Sequence, residues 1–401
     1  MSEQNKPNLM GPMTRRLLLR RGLGAATGLL GSGALMSFLA ACGVTAAPPQ
    51  PVPSLSDLLA SGDAIPLGTL TAQAKREDKL NTIALPPTWA NYQALLKGFP
   101  AKYGIPINNM APDDSSGQEL QAVITYKNNK STGPDTVDVG PSFASEGITE
   151  GLWDPYRNSH WNSIPDAMKD PKGYWVGDYY GVEAFAVNTT MVKNVPQDWA
   201  DLLKPEYKNT IGINGDPRSS NDAFMAVWAA ALANGGSLDN IMPGIEFFAK
   251  LKKNGNFLVV PASSATIANR TTPIVIMWDY LLLGYRESFH GNPPLTILIP
   301  KTGVLGGYYC QAVSKYAPHP FAARLWEEYL YSDEGQLAWL EGYAHPVRYA
   351  DLVKQGKVPA TLAAKLPPAS AYAKAQFPTV AQTKRAGQVL QQQWGPVVVG
   401  A

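Results

Sequence analysis

Apolar and polar positions along this chain switch repeatedly between the strand and the helix period. Lys79–Pro86 carries Leu80, Ile83 and Leu85 and reads as a buried strand. Tyr92, Leu95, Leu96 and Phe99 then fall at helical spacing, and Gly104 stops that helix after Tyr103. Ile105–Ile107 begins a second strand, Ser116–Leu120 opens a second helix, and Val137–Val139 is a third strand ending at Gly140. The second half repeats the pattern. Thr210–Asn214 is a strand, Gly215–Ser220 a polar turn and Asn221–Leu232 a helix. Thr272–Trp278 and Leu295–Pro300 are strands, followed by a strand through Gly306–Val313 and an amphipathic helix over Ala322–Leu330. Strands alternating with helices predict an α/β architecture with mostly parallel sheets, in which ligands sit beyond the carboxyl ends of strands.

The ends of the chain follow other rules. Residues 44–66 are rich in Ala, Pro, Ser and Gln, the composition of a semi-rigid tether. The tail from Lys365 has Pro367-Pro368, Pro378 and Pro396 around polar helical stretches and reads as packed short helices. At the other end, Arg15-Arg16 and Arg20-Arg21 precede a Gly/Ala/Leu-rich run that closes on Leu39-Ala40-Ala41-Cys42. Basic residues, an apolar stretch and small residues form the layout of an export signal. The run from Gly22 to Ala41 is about long enough to span a bilayer, but it is Gly-rich and no basic stop-transfer flank follows.

Charge and cysteine content narrow the picture. Five of the 34 basic residues and one of the 32 acidic residues precede Cys42, so the remainder is slightly acidic and carries no clustered Lys/Arg stripe. Nucleic-acid binding is therefore not expected. With Cys42 modified, Cys310 has no partner, and its apolar surroundings suit an inert buried thiol. His160, His290, His319 and His345 are widely spaced, and no zinc, nucleophile-elbow or phosphate-loop pattern occurs. No cofactor, no metal site and no catalytic residue are expected.

Several stretches together carry a family resemblance: Pro134–Val139, Glu150–Tyr156, Val187–Thr189, Asp198–Lys208, Asp216–Ser220, Ala317–Ala323 and Tyr331–Gln336. In this order, behind such a signal, the chain resembles the bacterial extracellular solute-binding proteins of ABC importers, in the branch of iron(III), polyamine and aminoalkylphosphonate binders. The leader resembles a twin-arginine signal ending in a lipobox, which implies cleavage before Cys42 and its lipidation. The resemblance implies a two-lobed type II periplasmic-binding-protein fold with hinge crossovers. Residues 1–41 would be signal and 42–67 tether. Residues 68–178 and 296–345 would form one lobe; 179–295 and 346–401 would form the other with its C-terminal helices. It further implies an exported, lipid-anchored monomer that binds a small solute and hands it to a membrane permease, with no chemistry on bonds. An exported cofactor-bearing enzyme and a ligand-sensing lipoprotein stay open as alternatives.

The candidate ligand residues cluster at strand ends. Asp279 between Trp278 and Tyr280 offers a carboxylate flanked by aromatic faces, suited to an ammonium group. The iron-binding members carry a Tyr pair there, so Asp279-Tyr280 speaks against an iron site. Asp279 can equally cap the helix that follows. Arg218, Ser219 and Ser220 before the helix at Asn221, and Ser116 and Gly117 before the one at Gln118, are either anion-binding or ordinary capping groups. Ser142, Phe143 and Trp89 follow strands on the same side, and Tyr180 and Glu183 lie near the lobe crossing. A polyamine requires carboxylates at both ends of the cleft, whereas a zwitterion such as an aminoalkylphosphonate pairs Asp279 with Arg218.

Overall fold

The computed structural model describes residues 54–127 and 132–400, so the leader and Cys42 lie outside the described residues. The segment expected to be a tether is helical over Leu55–Ser61. There Ser54 accepts from the Asp57 amide and the Asp57 carboxylate accepts from the Ser54 amide, a reciprocal cap. The helix Leu67–Glu77 follows and packs on the helix Pro320–Tyr331. The Glu77 carboxylate accepts from the Phe321 and Ala322 amides at 3.0 and 2.8 Å, placing negative charge at that helix's positive end.

Among the described residues ten strands carry the fold: β1 (Leu80–Ile83), β2 (Ile107–Met110), β3 (Thr136–Val139), β4 (Trp153–Asp154), β5 (Val176–Asn188), β6 (Ile211–Ile213), β7 (Ile274–Trp278), β8 (Leu295–Leu298), β9 (Gly306–Ser314) and β10 (His345–Pro346). β1 and β2 pair with each other. The other eight form one sheet along the path β3–β9–β5–β7–β6, with β4 on β9 and with β8 and β10 on β5. β5 is 13 residues long and serves both halves of the sheet. Its first half pairs with β9, and its second half pairs with β7 and β8. β8 and β9 run successively along β5 in the direction opposite to it. The chain thus crosses between the halves once along β5 and again through 299–305.

The ladders are not mostly parallel, contrary to what the strand–helix alternation predicts. Only β1–β2 and β6–β7 are parallel, while every other ladder is antiparallel. The reason is the returning pair β8 and β9. β8 and β9 follow one another along β5 joined only by residues 299–305, and both run antiparallel to it.

Helix Asn221–Ala233 is buried from Asn221 to Ala231 and lies under the sheet beside β7. Trp199, Trp228, Trp278, Trp326 and Trp339 are fully buried, each such ring contributing on the order of 2–3 kcal/mol of transfer free energy. Cys310 is a free, buried thiol whose pKa burial pushes well up. Among the described residues no helix is long and apolar enough to cross a membrane.

Candidate functional site

A backbone hydrogen bond and a close backbone-to-side-chain approach join the first and second halves of the chain at a seam. Gly117, in the first turn of helix Ser116–Tyr126, donates its amide to the Ser219 carbonyl at 3.2 Å. Gly140, which precedes helix Pro141–Thr149, lies so close to Asn221 that an added Cβ would sit 2.3 Å from its carboxamide. Ser116 braces this edge by accepting the Gly140 amide at 3.1 Å.

Behind the seam is an acidic layer with aromatic walls. Glu183 on β5 is register partner of Trp278 on β7 and is fully buried. Neither of its carboxyl oxygens has a hydrogen-bond partner among the described residues. Asp222, at the start of helix Asn221–Ala233, accepts the Trp278 amide at 3.0 Å through Oδ1 and leaves Oδ2 unpartnered. The two carboxyls lie near enough to influence each other without adopting hydrogen-bond geometry. Burial raises the Glu183 pKa well above the usual carboxylate range, and the charges of Asp222 and Asp279 raise it further. Burial likewise raises Asp222. Among the described residues no basic group bears on Glu183. The polar atoms Asn221 Nδ2 and Oδ1, Trp278 Nε1 and Tyr280 OH are also buried without partners.

A second acidic pair, Asp138 on β3 and Asp178 on β5, lies in the same interior. Asp138 Oδ2 accepts from the hydroxyls of Tyr92 at 2.7 Å and Tyr179 at 3.1 Å, and its Oδ1 is unpartnered. Asp178 accepts from Gln311 Nε2 at 3.0 Å. Burial raises both pKa values, and the Asp138 charge adds to the rise at Asp178. Between the pairs stand Tyr280 and Tyr309, whose hydroxyls feel both Asp138 and Asp222. Tyr309 stacks on Tyr179 with centroids 5.9 Å apart, while Trp89 meets Tyr309 and Tyr280 edge-on at 5.6 and 6.4 Å. Trp89 Nε1 donates to the Tyr179 hydroxyl at 2.8 Å. Among the described residues no three His, Cys, Asp or Glu side chains gather in a metal-ligating group.

Residues 133–383, more than half of the chain, match the family described as bacterial extracellular solute-binding protein. The chain belongs to that family. Among solved structures it is similar to the periplasmic binding protein AfuA of Actinobacillus pleuropneumoniae with fructose-6-phosphate bound. That match is 22% identical, covers 80% of this chain and 99% of the other, and has a TM-score of 0.60. Iron-bound HitA of Pseudomonas aeruginosa is 19% identical over 79% of this chain and 98% of its own, with a TM-score of 0.59. A putative spermidine/putrescine ABC transporter protein of Listeria monocytogenes is 15% identical over 79% and 98%, with a TM-score of 0.58. At these identities the likenesses establish the fold, which is that of type II periplasmic binding proteins. Solute-binding proteins of ABC importers bind small molecules outside the cytoplasmic membrane and work with a membrane permease.

In this solute-binding protein the residues singled out from sequence take different places. Ser116, Gly117, Ser219 and Ser220 lie at the seam, and Ser220 Oγ caps helix Asn221–Ala233 by accepting the Ala223 amide at 3.3 Å. Ser142, Phe143 and Arg218 line a cavity of about 300 Å3 outside it. Arg218 is held by Asp216 at 2.6 Å and so is already engaged. Trp278, Tyr280, Trp89 and Glu183 meet at the acidic layer. Tyr180 does not: it stacks on His345 at 5.0 Å and meets Phe377 edge-on, on the face away from Tyr179.

Asp279 is the first residue of helix Asp279–Ser288, one residue past the cap position that Trp278 takes, and both its oxygens are partnered. Its Oδ1 accepts the Val182 amide at 3.0 Å and its Oδ2 accepts the Tyr372 hydroxyl. Beside it, Glu183 and Asp222 keep unpartnered carboxyl oxygens, as do Asp138 and, on helix Pro320–Tyr331, the buried Glu327. Sequence reading pointed to Tyr92 as an aromatic wall beside Trp89 and to the Tyr179-Tyr180 pair near the lobe crossing, and it missed Asp138, Asp178, Asp222, Tyr309 and Tyr372. A charged residue inside the apolar run Val137-Asp138-Val139 was the one available signal.

Proposed function

We propose that this chain is the substrate-binding component of an ABC importer for a small amine-bearing cation, with a diamine or polyamine as the favoured class. The observation that carries this reading is the Glu183 carboxyl, fully buried beside Asp222 with no partner and no base. An uncompensated buried carboxylate costs several kcal/mol, and a cation of matching size removes that cost. The second pair, Asp138 and Asp178, beyond the Tyr280 and Tyr309 rings, supplies negative charge for a second ammonium group. The rings offer cation–π faces along the way. A zwitterion finds less support, because the expected anion partner Arg218 is engaged by Asp216 outside the acidic layer. In this reading cleft closure over the cation is what the permease senses, and lipid on Cys42 keeps the protein at the membrane surface.

The test is a thermal-shift and calorimetric panel on the purified chain with putrescine, spermidine, butylamine, aminoethylphosphonate, fructose 6-phosphate and ferric citrate. A ligand at a hundred times its Kd stabilises by about 2.7 kcal/mol. Stabilisation by the diamine or triamine, and weaker stabilisation by butylamine, is the expected result. Stabilisation only by the anions or by ferric citrate overturns it.

A further inference from the structure

The tail of the chain lies as a strap across the sheet. Gln376 pairs with the 304–306 crossover: its amide donates to the Val304 carbonyl at 3.0 Å, and its carbonyl accepts the Gly306 amide at 2.9 Å. Phe377 covers Gly306 so closely that an added Cβ would sit 2.4 Å from its ring. Further on, helix Val380–Trp394 packs against both helix Pro141–Thr149 and helix Met242–Lys253, and Gln391 Nε2 donates to the Arg218 carbonyl at 2.5 Å. At its near end the strap places Tyr372 on Asp279.

Asp279 is an unusual recipient. It is 1% exposed, and its other oxygen holds the Val182 amide, the residue next to Glu183 on the crossover strand β5. We propose that Tyr372 is a positioning residue for the binding site, its hydroxyl fixing the ionised Asp279 carboxylate against β5 so that its charge reinforces Glu183 in attracting the cation. This inference rests on the amine-binding reading.

Titratable groups from several elements surround Asp279 and Tyr372. The charges of Asp279 and of Asp222, from helix Asn221–Ala233, both bear on Glu183 of β5. Tyr280 neighbours Asp279 in helix Asp279–Ser288. His345 stands against the Tyr372 ring at 4.8 Å, and burial lowers its pKa to about 4, so it is neutral at pH 6–8. Arg286 and Lys365 border a cavity of about 350 Å3 that reaches Asp279. Burial raises the Asp279 pKa to about 6, and the Tyr372 donor is foremost among the groups that oppose that rise. Removing the donor therefore shifts the carboxyl's titration upward.

The experiment uses Tyr372→Phe in the full chain, which deletes one hydroxyl and keeps the ring. Two readouts are followed: carboxyl titration by NMR on aspartate-labelled protein without ligand, with Asp279→Asn to assign the signal, and the pH dependence of putrescine binding. The expected result is a higher Asp279 midpoint. Putrescine binding should weaken by up to about tenfold near pH 6.5, the effect of one pKa unit, and recover by pH 8.5. An unmoved midpoint overturns the proposal, as does a loss of binding equal at both pH values. If putrescine fails to bind the unaltered chain, the amine reading falls, while the Asp279 titration still decides whether Tyr372 sets its charge.

Discussion

Asp222 holds the backbone amide of Trp278 at 3.0 Å with one carboxyl oxygen and presents the other, buried and unpartnered, toward Glu183. The position of that negative charge is thus set by the main chain at the end of β7 rather than by a mobile side chain. A site fixed in this way loses little entropy when a cation arrives.

Glu183→Gln should separate binding from stability. The substitution removes the charge and nearly preserves shape, so putrescine affinity should fall by ten- to a hundredfold, in line with about 1.5–3 kcal/mol for a hydrogen bond to a charged group. The ligand-free protein should melt at a higher temperature, because an uncompensated buried acid is gone. Calorimetry and thermal melts on the same sample check both, and unchanged affinity removes Glu183 from the site.

The ligand-free protein should lose stability as pH rises. Asp279 titrates at about 6 when folded against 3.8 in a free chain, so the folded state binds the extra proton between those values. Its contribution is fully present below about pH 4 and is lost as pH climbs through about 6, a change of about 3 kcal/mol. Glu119, Asp178 and Glu183 are raised in the same direction by burial, and Glu327 is raised to about 8. Melting temperatures between pH 5 and pH 8 should fall without ligand and fall less with a saturating amine. A rise across that window contradicts the assignment.

Gly140→Ala should hold the seam apart. The new methyl would lie 2.3 Å from the Asn221 carboxamide, closer than atoms approach. Putrescine affinity should drop without a matching loss of melting temperature, and small-angle scattering should show no ligand-induced compaction. Compaction equal to that of the parent chain refutes a closing role for this contact.

Cys42→Ala tests the anchor. The unaltered protein is expected in the membrane fraction with incorporated fatty acid, and the variant in neither. Equal membrane association of both forms excludes lipid on Cys42 as the tether.

Local structure was legible wherever one force dominated. The helix Tyr92–Tyr103 matches its apolar spacing, and Gly104 ends it at φ 72° as a left-handed cap. Strand direction was not legible, since alternation of elements carries no information about how β8 and β9 return along β5. Tyr179 could not be distinguished from Tyr180 as the inward residue, because the register of β5 on β9 shifts between Gly177 and Tyr180 and breaks the two-residue period. Asp222 reads as an acid favoured at a helix start, and only the approach of β7 turns it toward the interior. Tyr372 reaches Asp279 across 93 residues of sequence, a contact that no local pattern encodes.

The ring cluster also makes the protein its own optical reporter. Trp89 is partly exposed and donates to Tyr179, while Trp278 and Trp339 are buried within reach of the same tyrosines. A cation seated among these rings changes the field around indoles whose emission follows that field. Occupancy should therefore be readable from intrinsic fluorescence, with no dye attached, and Trp89→Phe identifies which indole carries the signal.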